Sequence, residues 1–407
     1  MGDQPARVAY GDGPDGPLPE PSAVAELIGR DIELLLGWVV RRPEWIFTST
    51  VPATTLMLGA GLRRACAEGT VGAVPTRLSA IPGLLVGRLR PDVVVVGAVE
   101  AADGGWRLVG SPGWAASAVR AAGAVVVERW AEPASAPPAG PPLPPCRVLG
   151  VLDRQSGPDP APESRGTAEH VTIGRLVASL IPDDATLQWG PGSVGAAVVE
   201  QIDRPVRVWS GLVTDELVAL AGRGLLVGPA VAAYLWGGPE LQDLVRRGQL
   251  RLEELTVTHD ITRISAIERF VAVNTALQVG LDGAANVETV AGRVVSGPGG
   301  HPDFAAGASR SPGGLSIVAL PARTGERSNV VVAPEVVSTP RCDVDVVVTE
   351  FGVADLRGAP PGVRAERIAA VAAPEFRQGL LESLKMTPGC TLGKRLAWPT
   401  GGGTNRP

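Results

Sequence analysis

The sequence predicts an α/β protein built as two α/β domains with mostly parallel sheets, and three observations carry that prediction. Short apolar runs such as 93–99 (VVVVGAV) alternate with amphipathic stretches, the arrangement parallel strands require because each needs a crossover to reach its neighbour. At 407 residues and 45% hydrophobic content, the chain has the material for two cores of ordinary size. Seven prolines between residues 131 and 145 interrupt the pattern, which restarts after them.

Taken in order, residues 1–21 are rich in Gly, Pro and Asp and are expected to be disordered. The N-terminal α/β domain is expected at 22–145. Its first helix begins near Ser22, with Leu27, Ile28, Leu34 and Leu35 on or near one apolar stripe. Residues 45–51 read as a strand, 54–68 as a helix, 91–99 as a buried strand, 115–122 as a helix and 124–127 as a strand. A Pro/Gly-rich linker region follows at 146–166, with a strand at 147–152 on the join. The C-terminal α/β domain is expected at 167–395, with helices at 167–180, 195–201, 215–221 and 364–384. Its strands are placed at 185–189, 206–209, 315–320 and 345–349. Residues 396–407 read as a flexible tail.

Composition narrows the function. Net charge is −5 and no Lys/Arg run exceeds two residues, which leaves no footprint for nucleic acid or an acidic membrane surface. No apolar run reaches the length of a membrane span, and the N-terminus has no basic-then-apolar signal, so a cytoplasmic protein is expected. Cys66, Cys146, Cys342 and Cys390 form no disulfide framework and no CxxC, and His170, His259 and His301 are too scattered for a zinc motif. No metal and no bound cofactor are expected.

Three segments carry chemistry. Gly190-Pro191-Gly192-Ser193-Val194-Gly195 follows a predicted strand and opens a helix. Glycines there admit a ligand close to the backbone, and the helix start supplies unpaired N–H groups. The pattern fits a dinucleotide site, and hence an NAD-dependent oxidoreductase, or a tight structural turn, or a ligand-facing loop of another kind. Against the first, no acidic residue closes the next predicted strand, 206–209. The second segment, 296–304 (SGPGGHPDF), is a rigid turn whose amides suit an oxyanion, or else an ordinary surface loop. The third, 349–358 (TEFGVADLRG), places Glu350 at a strand end, yet Glu350, Asp355 and Arg357 equally make a structural charge cluster. Trp189, Trp209 and Trp236 lie near predicted strand ends, where they wall a pocket or fill a core.

The order GPGSVG, VWSGLVTDEL, FVAVNTALQV, SGPGGHPDF, GGLSIVALP and DVDVVVTEFGVADLRG resembles the acetyl-CoA hydrolase/transferase family, which contains class I CoA transferases of the 4-hydroxybutyrate and acetate type. The resemblance runs from about Arg77 to Arg377. It implies two α/β domains with the active site between them, a coenzyme A thioester as substrate, a small carboxylate or other acyl acceptor as co-substrate, and a homodimer. It also implies ping-pong chemistry, in which a glutamate attacks the acyl-CoA, becomes an anhydride and then a glutamyl-CoA thioester. On that reading Gly190, Gly192, Gly297, Gly299 and Gly300 flank the thioester, with Asn274 nearby.

The departures from the family are specific. Counting back from Asn274, the position of the family's nucleophilic glutamate is Thr256, which cannot form the anhydride. Glu254, two residues earlier, sits on the same face if the segment is a strand, about 6–7 Å away. The family's glutamines in its DLTGQ and GGQxDF segments are Ala284 and His301 here. The catalytic candidates are therefore Glu254 as a displaced nucleophile, or His259 or His301 as a base that activates water, an amine or an alcohol for direct attack. The expectation is CoA transfer between an acyl-CoA and a carboxylate. The alternatives are acyl-CoA hydrolysis, acyl transfer to a non-carboxylate acceptor without a glutamyl intermediate, a catalytically inactive CoA-binding relative, and the NAD-dependent enzyme.

Overall fold

The computed structural model describes residues 4–10, 12–130, 138–154, 157, 159–161 and 166–386. It contains two open, mostly parallel sheets. In the first, Val71–Ala73, Ala53–Thr55, Ile32–Leu36, Ala6–Tyr10, Val93–Glu100, Ala124–Arg129 and Arg147–Asp153 lie side by side in parallel. Trp106–Val109 turns back antiparallel on Val93–Glu100, and Ala139–Pro142 pairs with it. In the second sheet the parallel order is Leu250–Leu252, Ala230–Leu235, Arg207–Val213, Thr186–Trp189, Phe270–Asn274, Leu315–Ala319 and Val346–Thr349, with Gly352–Asp355 antiparallel at the edge. Parallel strands are covered on both faces, which is why Phe270–Asn274 and Leu315–Ala319 are buried at every position and read as continuous apolar runs rather than alternating ones.

Strand order reverses once in each sheet, between Ala6–Tyr10 and Val93–Glu100 in the first and between Thr186–Trp189 and Phe270–Asn274 in the second. At such a reversal the connections leave in opposite directions and open a crevice beyond the carboxyl ends of the strands. The two halves are joined around these ends. The Tyr234 hydroxyl donates to the Asp12 carboxylate, Leu235 N–H donates to Ser111 Oγ at 3.1 Å, and Leu255 N–H to the Gly113 carbonyl at 3.0 Å. One buried apolar cluster unites Leu35, Val94, Trp114 and Val127 of the first sheet's half with Ala233, Tyr234 and Leu255 of the second.

The structure corrects several expectations. The described part of residues 1–21 is not a disordered arm, because Ala6–Tyr10 is a central strand with Val8, Ala9 and Tyr10 fully buried, and Pro21–Ile28 is a helix. The surrounding Gly, Pro and Asp, and Arg7 within it, masked a short strand whose apolar part is only Val8, Ala9 and Tyr10 after Ala6. Leu34 and Leu35 belong to the strand Ile32–Leu36, not to the first helix, which stops at Gly29 in a left-handed cap with φ 76°. The segment expected as a strand at 45–51 forms a 3₁₀ turn, Glu44–Phe47, packed through Trp45 and Ile46. The helix expected at 54–68 is a strand, Ala53–Thr55, followed by short helical turns up to Ala67. Arg147–Asp153 lies within the expected linker region and extends the first sheet. The tail expected at 396–407 lies outside the described residues. Among the described residues no helix is long and apolar enough to cross a membrane.

Candidate active site

A cavity of about 460 Å³ opens where the second sheet reverses its order, and residues of both halves line it. From the strand ends come Gln188, Trp189 and Gly190 on one side of the reversal and Asn274 and Thr275 on the other. Gln188 and Asn274 are 3% and 6% exposed, and their side-chain amides exchange two hydrogen bonds of 3.3 and 3.1 Å across the crevice floor. Buried amides need partners, and each supplies the other's. The first half contributes Trp38, Met57 and Leu78.

The loop 295–300 forms one wall and runs into the helix His301–Ala308. This helix explains the HPDF part of the motif. Proline at the second helical position loses no helical bond, and Asp303 faces the helix start, where a negative charge is favoured. Asp303 also ties the wall to the first half, accepting Ser79 N–H at 3.0 Å and Ser79 Oγ–H at 2.6 Å, with Arg77 at 3.8 Å. Gly299 takes φ 59°, a left-handed conformation that spares glycine alone any cost, and the Leu78 N–H donates to its carbonyl at 3.1 Å.

His259 and His301 both line the cavity and both are buried. The His259 ring lies 4.8 Å from the Phe304 ring between centroids, and its Nδ1 is 2.9 Å from Thr258 Oγ1. His301 Nδ1 is 2.6 Å from Thr339 Oγ1. Neither Nε2 has a hydrogen-bond partner among the described residues. Burial pushes the imidazole pKa of His259 down to about 3 and that of His301 to about 4, because a cation there would be stripped of water. Both rings are therefore neutral near pH 7, which makes them weak bases and leaves them able to hydrogen-bond without charge.

Among the described residues no Asp or Glu lines the cavity and Arg63 is the one cation that does; it is exposed and donates to the Val295 carbonyl at 2.6 Å. Glu254 stands elsewhere. The segment expected as a strand is a one-turn helix, Leu255–Thr258, so the period-two face argument for Glu254 and Thr256 does not apply. Glu254 precedes that turn and binds Arg120 at 2.5 Å and Ser117 Oγ at 3.1 Å, both on the helix Ala115–Ala122. Thr256 is exposed and outside the cavity lining. Of the other candidates, Gly190, Asn274, Gly297, Gly299 and Gly300 line the cavity, whereas Gly192 does not. Gly192 instead caps the helix Ser193–Gln201 with φ 105°. Trp189 lines the cavity, but Trp209 and Trp236 donate to the carbonyls of Thr258 and Asp159. Sequence reasoning missed Gln188, Trp38, Met57 and Tyr234. A polar residue inside an apolar strand run, as in TLQW, was the available signal for the first.

Asp355 pairs with Arg357 at 2.7 Å, whereas Glu350 accepts from the Ala322 N–H at 2.8 Å instead of joining them, and none of the three is in the cavity lining. The strand after the glycine loop runs on to Val213, so an acidic residue, Asp215, does follow it. Its carboxylate accepts from the Gly238 N–H at 2.9 Å. Among the described residues no group of three or more His, Cys, Asp or Glu is placed to hold a metal ion.

Buried carboxyls, two of them at the join and Asp15 within the first half, give a testable pH effect. Asp12, Asp15 and Asp303 are each pushed up to about 6, chiefly by burial. A carboxyl raised above its unfolded value adds stability below the unfolded pKa and loses it as pH rises through about 6; the two depressed histidines act in the opposite sense as pH falls below about 6.5. Asp12→Asn isolates one contribution. Wild type is expected to gain stability relative to this variant between pH 7 and pH 4, read as urea midpoints at each pH. A constant difference would show that Asp12 takes up no proton on folding in that range.

Residues 238–384 match the family model described as the acetyl-CoA hydrolase/transferase C-terminal domain. A 4-hydroxybutyrate coenzyme A transferase of Clostridium kluyveri is 32% identical over 230 residues, which cover 52% of this chain and 53% of the relative, so the match spans about half of that protein's length. Two solved structures share the fold over 94% of both chains: RipA from Yersinia pestis, 22% identical with a TM-score of 0.79, and a 4-hydroxybutyrate CoA-transferase from Porphyromonas gingivalis, 24% identical with a TM-score of 0.74. The C-terminal segment 238–384 thus matches the acetyl-CoA hydrolase/transferase family model directly, and the whole chain shares its fold with these two structures.

Proposed function

We propose that this chain is an acyl-CoA-dependent enzyme that holds the thioester in the cavity between its halves and transfers by direct attack on it, without a glutamyl intermediate. The observation that carries the reading is the cavity lining, which among the described residues has glycine-loop backbone, neutral imidazoles and an amide pair but no carboxylate. In CoA transfer, the acceptor carboxylate itself attacks the thioester carbon. The C–S bond breaks, giving a mixed anhydride and CoA thiolate. The thiolate then attacks the acceptor's own carbonyl and releases the first acid. Gly190, Asn274, Gly297, Gly299 and Gly300 are the residues proposed to surround the reacting carbonyl, where backbone N–H groups at a helix start stabilise developing negative charge. His259 and His301 share that wall. The second reading is transfer to water or another uncharged acceptor. The absence of an interior cation among the described residues favours it, since a carboxylate entering such a site loses water without gaining a counter-charge.

The same absence bears on the acyl group. An uncharged apolar acyl chain is expected to be preferred over a succinyl-type group by about 10-fold or more in kcat/KM, because a second carboxylate finds no partner inside. The deciding experiment varies acyl-CoA and acceptor together and weighs the intact protein during turnover. Intersecting double-reciprocal lines and no CoA-linked protein are expected. Parallel lines with CoA attached at Glu254 would restore the covalent route. Free CoA produced equally with and without a carboxylate would select hydrolysis.

A further inference from the structure

His301 is placed at the first position of the helix His301–Ala308, in the cavity wall, and is 8% exposed. Its Nδ1 contacts Thr339 Oγ1 at 2.6 Å, and its Nε2 is buried with no partner among the described residues. Thr339 is fully buried, and this contact is the one side-chain hydrogen bond its hydroxyl makes among the described residues. A hydroxyl with a single buried partner satisfies its proton only by donating to that partner. If Nδ1 were the donor, both the hydroxyl proton and the Nε2 lone pair would be stranded away from water, each at the cost of an unmade hydrogen bond. The arrangement that strands least has Thr339 donating to Nδ1, which puts the ring proton on Nε2.

We propose that His301 is a catalytic residue acting as an uncharged hydrogen-bond donor, its Nε2–H meeting the thioester oxygen as that oxygen takes up negative charge, and that Thr339 is the positioning residue that fixes this tautomer. The proposal rests on the acyl-CoA reading above. During attack the carbonyl π pair moves onto oxygen and is met by Nε2–H. When the C–S bond breaks, the pair returns to carbon and CoA leaves as the thiolate, so His301 keeps its proton throughout. A neutral donor of this kind suits a buried wall, because it stabilises charge that exists only in the transition state and carries no charge of its own into the resting site. Burial disfavours the imidazolium at this position, which serves a donor and would hinder a base. Asp303, two residues along the helix, is occupied by Ser79 and Arg77 rather than by the ring.

Two independent readouts test it. With an acyl-CoA that wild type turns over, His301→Ala is expected to lower kcat about 100-fold with KM changed little, whereas His301→Gln, which retains an N–H, keeps kcat within about 10-fold of wild type. Thr339→Val is expected to lower kcat about 10-fold, Thr339→Ser to restore it, and wild-type kcat to stay flat between pH 5 and 8. A wild-type kcat for His301→Ala, or His301→Gln as inactive as alanine together with an imidazole limb in the pH profile, overturns the donor role. The second readout needs no substrate. In protein labelled with ¹⁵N-histidine, the His301 resonances, identified by their loss in His301→Gln, are expected to report the Nε2–H tautomer at pH 6–8 and to change in Thr339→Val. An Nδ1–H tautomer or a cation there overturns the proposal even if acyl-CoA turnover stands. Failure of wild type to bind any acyl-CoA by calorimetry, with the tautomer as expected, defeats the acyl-CoA reading instead.

Discussion

Gly300→Ala is expected to reduce turnover about 100-fold while the protein stays folded. A methyl group at Gly300 would lie 2.6 Å from His259 Nε2, 2.8 Å from its Cδ2 and 3.1 Å from Phe304 Cε2. The backbone itself tolerates alanine, since φ at Gly300 is −90°. The strain is therefore purely steric. The ring is closely packed, because Gly211 also lies against it, where a methyl would meet Nε2 at 3.0 Å, and Phe304 packs alongside. Either the imidazole or the 295–300 loop must move by an appreciable fraction of an ångström. Displacements of that size at a reacting centre cost about 100-fold in rate. The double variant with His259→Ala opens the space again, so the two changes are expected to be non-additive, with Gly300→Ala costing much less in that background. Steady-state kinetics on the four proteins read the coupling. Full additivity would mean that Gly300 and His259 do not act through their contact.

Gly195→Ala is expected to be the most destabilising single methyl in the glycine loop, by about 3 kcal/mol. Its added carbon would lie 2.0 Å from the Gly190 carbonyl oxygen and 3.1 Å from Trp189 Cδ1, so the helix Ser193–Gln201 would have to lift off the strand end that carries the cavity. A backbone oxygen cannot rotate away as a side chain can. The control is Gly222→Ala at the end of the helix Glu216–Gly222, where an added methyl meets nothing within 4 Å and a gain of about 0.5 kcal/mol is expected from the stiffer unfolded chain. Urea midpoints compare the two. Equal stability for both would show that the turn relaxes freely and that Gly195 is not needed for close packing.

The glycine pattern at 190–195 illustrates what sequence could and could not tell. Its position between strand and helix was legible, because both the apolar run before it and the helical spacing after it are local signals. Its use was not. Gly195 serves close packing, Gly192 a positive φ at the helix start, and Gly190 the cavity, three different physical needs written with one letter. The buried strands at 91–99, 315–320 and 345–349 were read nearly in place, since strands covered on both faces are rich in Val, Ile and Leu. The short strand Ala6–Tyr10 was lost among turn residues, although it lies at the centre of its sheet.

The sequence by itself determined the α/β class, the interruption between two halves and the family resemblance, all of which depend on local periodicity and on residues in order. The resemblance it carries implies that Thr256, rather than a glutamate, stands where the family's nucleophile would be. Only the tertiary structure decided where Glu254 goes. A salt bridge to Arg120, 134 positions away, holds it on the helix Ala115–Ala122, a pairing no spacing rule announces. Only the tertiary structure brought His259, His301, Gln188 and Asn274 to one cavity, because the reversal of strand order that opens it is set by long-range parallel pairing. Burial in that cavity is also what turned two histidines, read from sequence as bases, into neutral groups, since an imidazole's charge is decided by the water it can keep.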